Sequence, residues 1–298
     1  MLDILSIGEC MVEFARESDG RYGLRYGGDT LNAAVYAARE GAKVSYGTAL
    51  GADPYSDGIM ALCQSENIGT ETILRVEGRM PGLYLIETDG KGERSFWYWR
   101  DRSPARELFE LPGKAGIEAE MARTKLVYFS GITLSLYSGE SSRTFAAALT
   151  RAREAGAKIA FDGNYRPRGW GGDRERARKV FGEFLPLVDI ALPTHDDEVM
   201  LYDDASPEAT IARLHAAGVK EVVLKLGPDG ALISEGGHAR SVPVPERVTP
   251  VDTTAAGDSF NGAYLAARLR GEAPDAAALA GHRMAGHVIQ HRGAVVPK

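Results

Sequence analysis

Short apolar runs alternate along the chain with longer stretches in which apolar positions recur every three or four residues. The first pattern reads as buried strands and the second as amphipathic helices. Their alternation is that of a parallel sheet covered by crossover helices. Strands are expected at 4–8, 44–50, 126–130, 158–162, 190–193, 221–226 and 231–234. Between them, helical spacing joins Leu31, Ala34, Val35 and Ala38, then Phe145, Leu149 and Ala152, then Ile211, Leu214 and Ala217. Gly41 and Gly156 stand where such helices need a left-handed cap. With no repeat and no long linker, residues 1–298 are expected to form one domain.

Two segments break the rhythm. Residues 14–26 are polar, carry aromatics and lack helical spacing. Residues 82–100 read as a hairpin with its turn at Asp89-Gly90-Lys91-Gly92. Alternation in its second strand puts Phe96, Tyr98 and Arg100 on one face and Trp97 and Trp99 on the other. One face is expected to cover a ligand and the other to pack on protein, such as a second subunit. The alternative is an edge hairpin lying on its own core.

Composition narrows the class. The chain has 298 residues, 44% hydrophobic and 26% charged, enough for a large core. A formal charge of −6 argues against a nucleic-acid or anionic-membrane binder. Cys10 and Cys63 make no disulfide framework, residues 1–8 do not read as a signal peptide, and no apolar run approaches the roughly 20 residues of a membrane span. A cytoplasmic location is expected.

The chemistry concentrates in Val251-Asp252-Thr253-Thr254-Ala255-Ala256-Gly257-Asp258-Ser259-Phe260. A turn of small residues runs straight into an apolar helix bearing Phe260, Ala263, Tyr264 and Ala267, and Asp258 falls in its first turn. The first amides of a helix have no internal partner and attract anions such as phosphate. A carboxylate beside such a site can serve as general base for a hydroxyl that attacks phosphorus. Taken alone, the same aspartate is a helix cap. No GxxxxGK[ST] sequence is present, so phosphate binding does not follow the P-loop pattern.

This string, together with Gly27-Gly28-Asp29-Thr30-Leu31-Asn32-Ala33-Ala34 and the downstream Gly51-x-Asp53, resembles the motifs of the ribokinase (PfkB-type) sugar kinases. The resemblance implies an α/β fold, a three-layer α/β/α sandwich with a mostly parallel central sheet and a small β lid from about 10–27 and 80–104. It makes Asp258 the base and the amides of Ala255, Ala256 and Gly257 the hole for the transferring phosphoryl of ATP. Gly28, Asp29 and Asn32 become sugar contacts, and Asp252 a neighbour of a monovalent cation such as K+. Lys225-Leu226-Gly227-Pro228-Asp229-Gly230 matches the nucleotide loop, which assigns Lys225, Gly227 and Gly230 to ATP, and His282 is placed at the adenine. Thr194 stands at the asparagine of the family's Asn-x-x-Glu element, so the carboxylate serving Mg2+ falls on Asp197, or on Glu198 if the register slips by one. Ala255 replaces the usual glycine; a negative φ is expected there, which would make alanine harmless. Lids of this family often pair between subunits, which implies a homo-oligomer.

Trp97-Tyr98-Trp99-Arg100-Asp101-Arg102 and Asp162-Gly163-Asn164-Tyr165-Arg166-Pro167-Arg168 look like the corresponding stretches of 2-keto-3-deoxygluconate kinases within that family. That likeness implies that Tyr98, Arg100 and Arg166 hold a sugar acid, with Gly28, Asp29 and Tyr84 as further contacts. A charge-assisted arginine–carboxylate pair contributes roughly 1.5–3 kcal/mol, enough to favour an acid over a neutral hexose about tenfold. The implied reaction is ATP- and Mg2+-dependent phosphorylation of 2-keto-3-deoxygluconate at its C6 hydroxyl. Fructokinases share an Asn-x-Arg-Pro string, so a fructokinase or another sugar kinase stays open, as does a non-catalytic sugar-binding protein.

Overall fold

Each apolar run expected as a strand enters one large sheet. The computed structural model describes residues 1–17, 19–88 and 94–298. Its strands in chain order are β1 (Ile4–Ile7), β2 (Met11–Arg16), β3 (Tyr22–Gly27), β4 (Val44–Gly51), β5 (Ile73–Val76), β6 (Leu83–Thr88) and β7 (Arg94–Trp99). They continue with β8 (Leu126–Ser130), β9 (Lys158–Asp162), β10 (Ile190–Ala191), β11 (Glu221–Lys225), β12 (Ala231–Glu235) and β13 (His238–Val242). The large sheet runs β13-β12-β11-β10-β9-β8-β1-β4-β5. It is parallel from β5 to β11 and antiparallel in its last two pairings. β10 stops at Ala191, short of the expected 190–193, because Pro193 has no N–H to give a ladder.

Strand alternation divides the apolar side chains between two cores, one under each helical layer. Along β8, Val127 and Phe129 enter one core with Phe145, Phe161, Phe181 and Phe184. Leu126 and Tyr128 enter the other with Leu31, Val35, Phe260 and Tyr264. Burying each large apolar side chain stabilises the fold by about 1.5–3 kcal/mol. In the second layer, the helices Asp29–Arg39 and Ala256–Leu269 lie almost backbone to backbone. A Cβ on Gly262 would come within 2.4 Å of the Ala33 carbonyl oxygen, so only glycine permits that approach.

The smaller sheet runs β3-β2-β6-β7 and is built from the two segments expected to make a lid. Its register sets Glu13 opposite both Arg25 and Tyr84, and Tyr84 opposite Tyr98. Met11, Glu13, Tyr84, Ile86 and Tyr98 therefore share the face turned to the body. Phe14, Leu24, Leu85, Trp97 and Trp99 share the opposite face, where Trp97 is 51% and Trp99 61% exposed. The expected turn at 89–92 lies outside the described residues. Among the described residues, no helix is long and apolar enough to cross a membrane.

Candidate active site

The loop before the helix Ala256–Leu269 is held from within. Asp252 Oδ1 accepts from the Thr254 amide (2.9 Å) and hydroxyl (2.7 Å), and Asp252 Oδ2 accepts from the Gly293 amide (2.9 Å). The Ala256 amide donates to the Thr253 carbonyl at 3.2 Å, closing a tight turn. The third residue of that turn, Ala255, sits at φ 59 and ψ 15, in the left-handed region. The expected negative φ is therefore wrong: the turn requires a positive one, and alanine bears a cost of about 1 kcal/mol there. Of the three amides expected to form the phosphoryl hole, that of Ala256 is engaged within the turn. The Ala255 and Gly257 amides have no backbone acceptor among the described residues.

Asp258 follows in the first turn of that helix and is half-buried. The Asn32 side-chain amide donates to its Oδ2 at 2.8 Å. Desolvation pushes the Asp258 carboxyl up to about 7, and the negative charge of Asp29 adds to the effect; Asn32 and Lys225 oppose it. Burial likewise raises Asp29, against hydrogen bonds from Ser130 and Asn164. Asn164 Nδ2 donates to Asp29 Oδ2 at 2.8 Å. Asn32, expected as a sugar contact, thus has its amide nitrogen on the candidate base. Gly28 begins the helix that carries both Asp29 and Asn32, and a Cβ there would lie 2.2 Å from the Glu9 carbonyl oxygen.

Beneath the loop lies a buried network that the sequence reading did not assemble. Lys225 Nζ donates to Asp162 Oδ2 (2.9 Å) and Asn261 Oδ1 (3.0 Å), and Asn261 Nδ2 donates to Asp162 Oδ2 (2.6 Å). A Cβ on Gly257 would be 3.4 Å from that ammonium, which places a positive charge directly under the loop amides. Asn261 was detectable as the residue three after Asp258, on the same helix face. Asp162 was detectable as the carboxylate at the carboxyl end of β9.

On one side of the loop opens a cleft of about 530 Å³, whose walls include Thr194, Lys225, Gly227, Gly230 and His282. Phe260 and Ile289 add apolar surface, so the cleft suits a flat ring with a polar tail. His282 hydrogen-bonds the Val242 carbonyl (3.0 Å) and meets the Phe260 ring edge-on at 5.1 Å between centroids. Burial lowers its pKa and keeps the imidazole neutral.

On the other side lie the residues expected for the sugar. Tyr84 donates to Glu13, and its ring stacks on Tyr98 at 5.8 Å. Arg100 is ion-paired with buried Glu9, and Arg166 with Asp197 at 2.8 Å. The neighbouring carboxylate, Glu198, is buried, raised to about 7 by desolvation, and bound to Arg213 at 2.6 Å. Asp197 therefore faces Arg166 while Glu198 is held by Arg213. Among the described residues, no group of three or more histidines, cysteines or carboxylates is placed to hold a metal ion. Mg2+ takes its ligands mainly from phosphates and water.

The profile described as pfkB family carbohydrate kinase matches residues 1–298. The chain is 44% identical over 304 residues to the 2-dehydro-3-deoxygluconokinase of Escherichia coli K12, covering 99% of this chain and 97% of that protein. Two solved structures share the fold. One, of 2-dehydro-3-deoxygluconokinase from Thermotoga maritima, aligns with a TM-score of 0.84 at 23% identity, over 99% of this chain and 96% of that one. The other, described as a ribokinase II from E. coli in complex with ATP and Mg2+, aligns with a TM-score of 0.86 at 23% identity, over 99% and 94%. The chain belongs to the pfkB family of carbohydrate kinases.

Proposed function

We propose that the chain transfers the γ-phosphoryl group of ATP to the C6 hydroxyl of 2-keto-3-deoxygluconate. The observation that carries this is the position of Asp258: a carboxylate oriented by Asn32, with a pKa raised to about 7, follows directly on Ala256 and Gly257, which line the cleft of about 530 Å³. The E. coli relative named 2-dehydro-3-deoxygluconokinase, similar over nearly the whole length, supports the choice of substrate. ATP fills the cleft lined by Gly227, Gly230 and His282, and its outer phosphate meets the Ala255 and Gly257 amides above Lys225. Asp258 accepts the proton of the C6 hydroxyl as the hydroxyl oxygen attacks the γ-phosphorus and the bond to the bridging oxygen breaks, releasing ADP. Asp197 would serve the waters of a bound Mg2+, which would neutralise charge on the phosphates. Arg100 and Arg166 hold the sugar acid, and Tyr84 and Tyr98 cover it. A monovalent cation at Asp252 would share a carboxylate that already clamps the loop.

Closing the lid excludes water, which would otherwise accept the phosphoryl group. Its apolar outer face, with Leu24, Trp97 and Trp99 exposed, suits pairing with the lid of a second copy. A cytoplasmic setting agrees with two free, buried cysteines. An ADP-release assay run over sugar acids and neutral hexoses tests the reading. Faster turnover of a neutral hexose than of 2-keto-3-deoxygluconate would overturn it.

A further inference from the structure

We infer that Arg168 supplies the uncompensated positive charge by which this site selects a sugar bearing a carboxylate. The inference rests on the sugar-acid reading above and adds to it a residue which that reading does not use.

Three guanidiniums surround the lid residue Tyr98. Arg100 lies 6.0 Å and Arg168 5.2 Å from its ring centroid, and Arg166 is close enough to act on the hydroxyl as well. Two of the three are already ion-paired. Arg100 is paired with Glu9, whose side chain is 1% exposed, and Arg166 with Asp197, whose side chain is 13% exposed. A carboxylate held by either of these guanidiniums shares it with a fixed anion, which weakens but does not remove the attraction. Arg168 makes no ion pair among the described residues, and its hydrogen bond goes to a neutral acceptor, the Phe96 carbonyl at 2.7 Å. The rest of its fork is available for a bidentate contact.

The loop that presents Arg168 is fixed before any ligand arrives. Tyr165 and Trp170, each 1% exposed, anchor its two ends in the core. Between them, Pro167–Trp170 forms a short 3-10 turn, and the Gly169 amide donates to the Arg166 carbonyl at 2.9 Å. Trp170 packs edge-on against Phe181 at 5.7 Å. Arg166 and Arg168 therefore leave one rigid bracket, and Arg168 touches the lid through both the Phe96 carbonyl and the Tyr98 ring.

The competing role for Arg168 is that of a mechanical latch on the lid, and the two roles differ in kinetics. Wild type, Arg168→Ala and Arg168→Lys are assayed with 2-keto-3-deoxygluconate and ATP varied separately, and with fructose as a competing neutral hexose. The expected result for Arg168→Ala is a KM for the sugar acid raised about tenfold or more, with kcat, the KM for ATP and inhibition by fructose changed less than about threefold. Arg168→Lys, which keeps the charge, should recover part of that loss. An unchanged KM for the sugar acid overturns the inference. So does an equal loss toward fructose and the acid, or a fall in kcat at constant KM, since these are the marks of a latch. If wild type instead prefers fructose to the acid, the sugar-acid reading falls and the role of Arg168 with it. Wild type active on the acid, with Arg168→Ala indistinguishable from it, removes the role of Arg168 alone.

Discussion

Asn32 and Asp258, 226 positions apart in sequence, are joined by a 2.8 Å hydrogen bond in which the amide donates to the carboxylate. One carboxylate oxygen is thereby fixed, and the proposed reaction has Oδ1 receive the proton of the sugar hydroxyl. Asp258→Asn should leave the KM values for sugar and ATP within a few-fold but lower kcat by at least about 10². Steady-state kinetics in the ADP-release assay decide this, and near-normal turnover would remove Asp258 as base.

The raised pKa of Asp258 makes the rate depend on pH in a definite direction. A general base works only when ionised, so kcat/KM should fall as pH drops through about 7, the value set by burial and by the charge of Asp29. In Asp29→Asn that charge is gone, the ionised form of Asp258 is easier to reach, and the acid limb should move to lower pH. A pH–rate profile of both proteins checks the sign. A limb that stays in place or moves up contradicts the electrostatic link.

Ala255 carries a strain that glycine would relieve. At φ 59, alanine costs about 1 kcal/mol in the folded state, while glycine costs somewhat less than that through the entropy of the unfolded chain. Ala255→Gly should therefore raise stability by less than about 1 kcal/mol, and Ala255→Val should lower it by more than about 1 kcal/mol. Urea unfolding midpoints measure both. A destabilised glycine variant would mean that the turn does not hold this conformation.

Arg166, proposed to hold the sugar acid, is ion-paired with Asp197, the carboxylate proposed to serve Mg2+. Arg166→Ala should raise the KM for the sugar acid by roughly tenfold or more and that for ATP much less. Equal small changes in both would take Arg166 out of the carboxylate site.

The parallel part of the large sheet was legible because its strands are buried on both faces and read as unbroken apolar runs. β5 and β13 were not. In β5, Arg75 is exposed beside buried Ile73, and β13 begins at exposed His238, as suits strands at the two ends of a sheet. The site was legible where its residues are contiguous, as in 252–260 and 27–32. The Lys225–Asp162–Asn261 network was not, since its members come from β11, β9 and a C-terminal helix that only the fold brings together. The conformation of Ala255 escaped because alanine itself carries no signal for positive φ; the demand comes from the Thr253–Ala256 hydrogen bond.

The near contact of Gly262 with Ala33 has a consequence for how the molecule works through a cycle. The helix bearing Asn32 and the helix bearing Asp258 are welded at that point, so base and orienting amide travel as one chassis. On the proposed reading, opening to admit sugar and release product is then left to the outer sheet, with the two helices as its stationary floor.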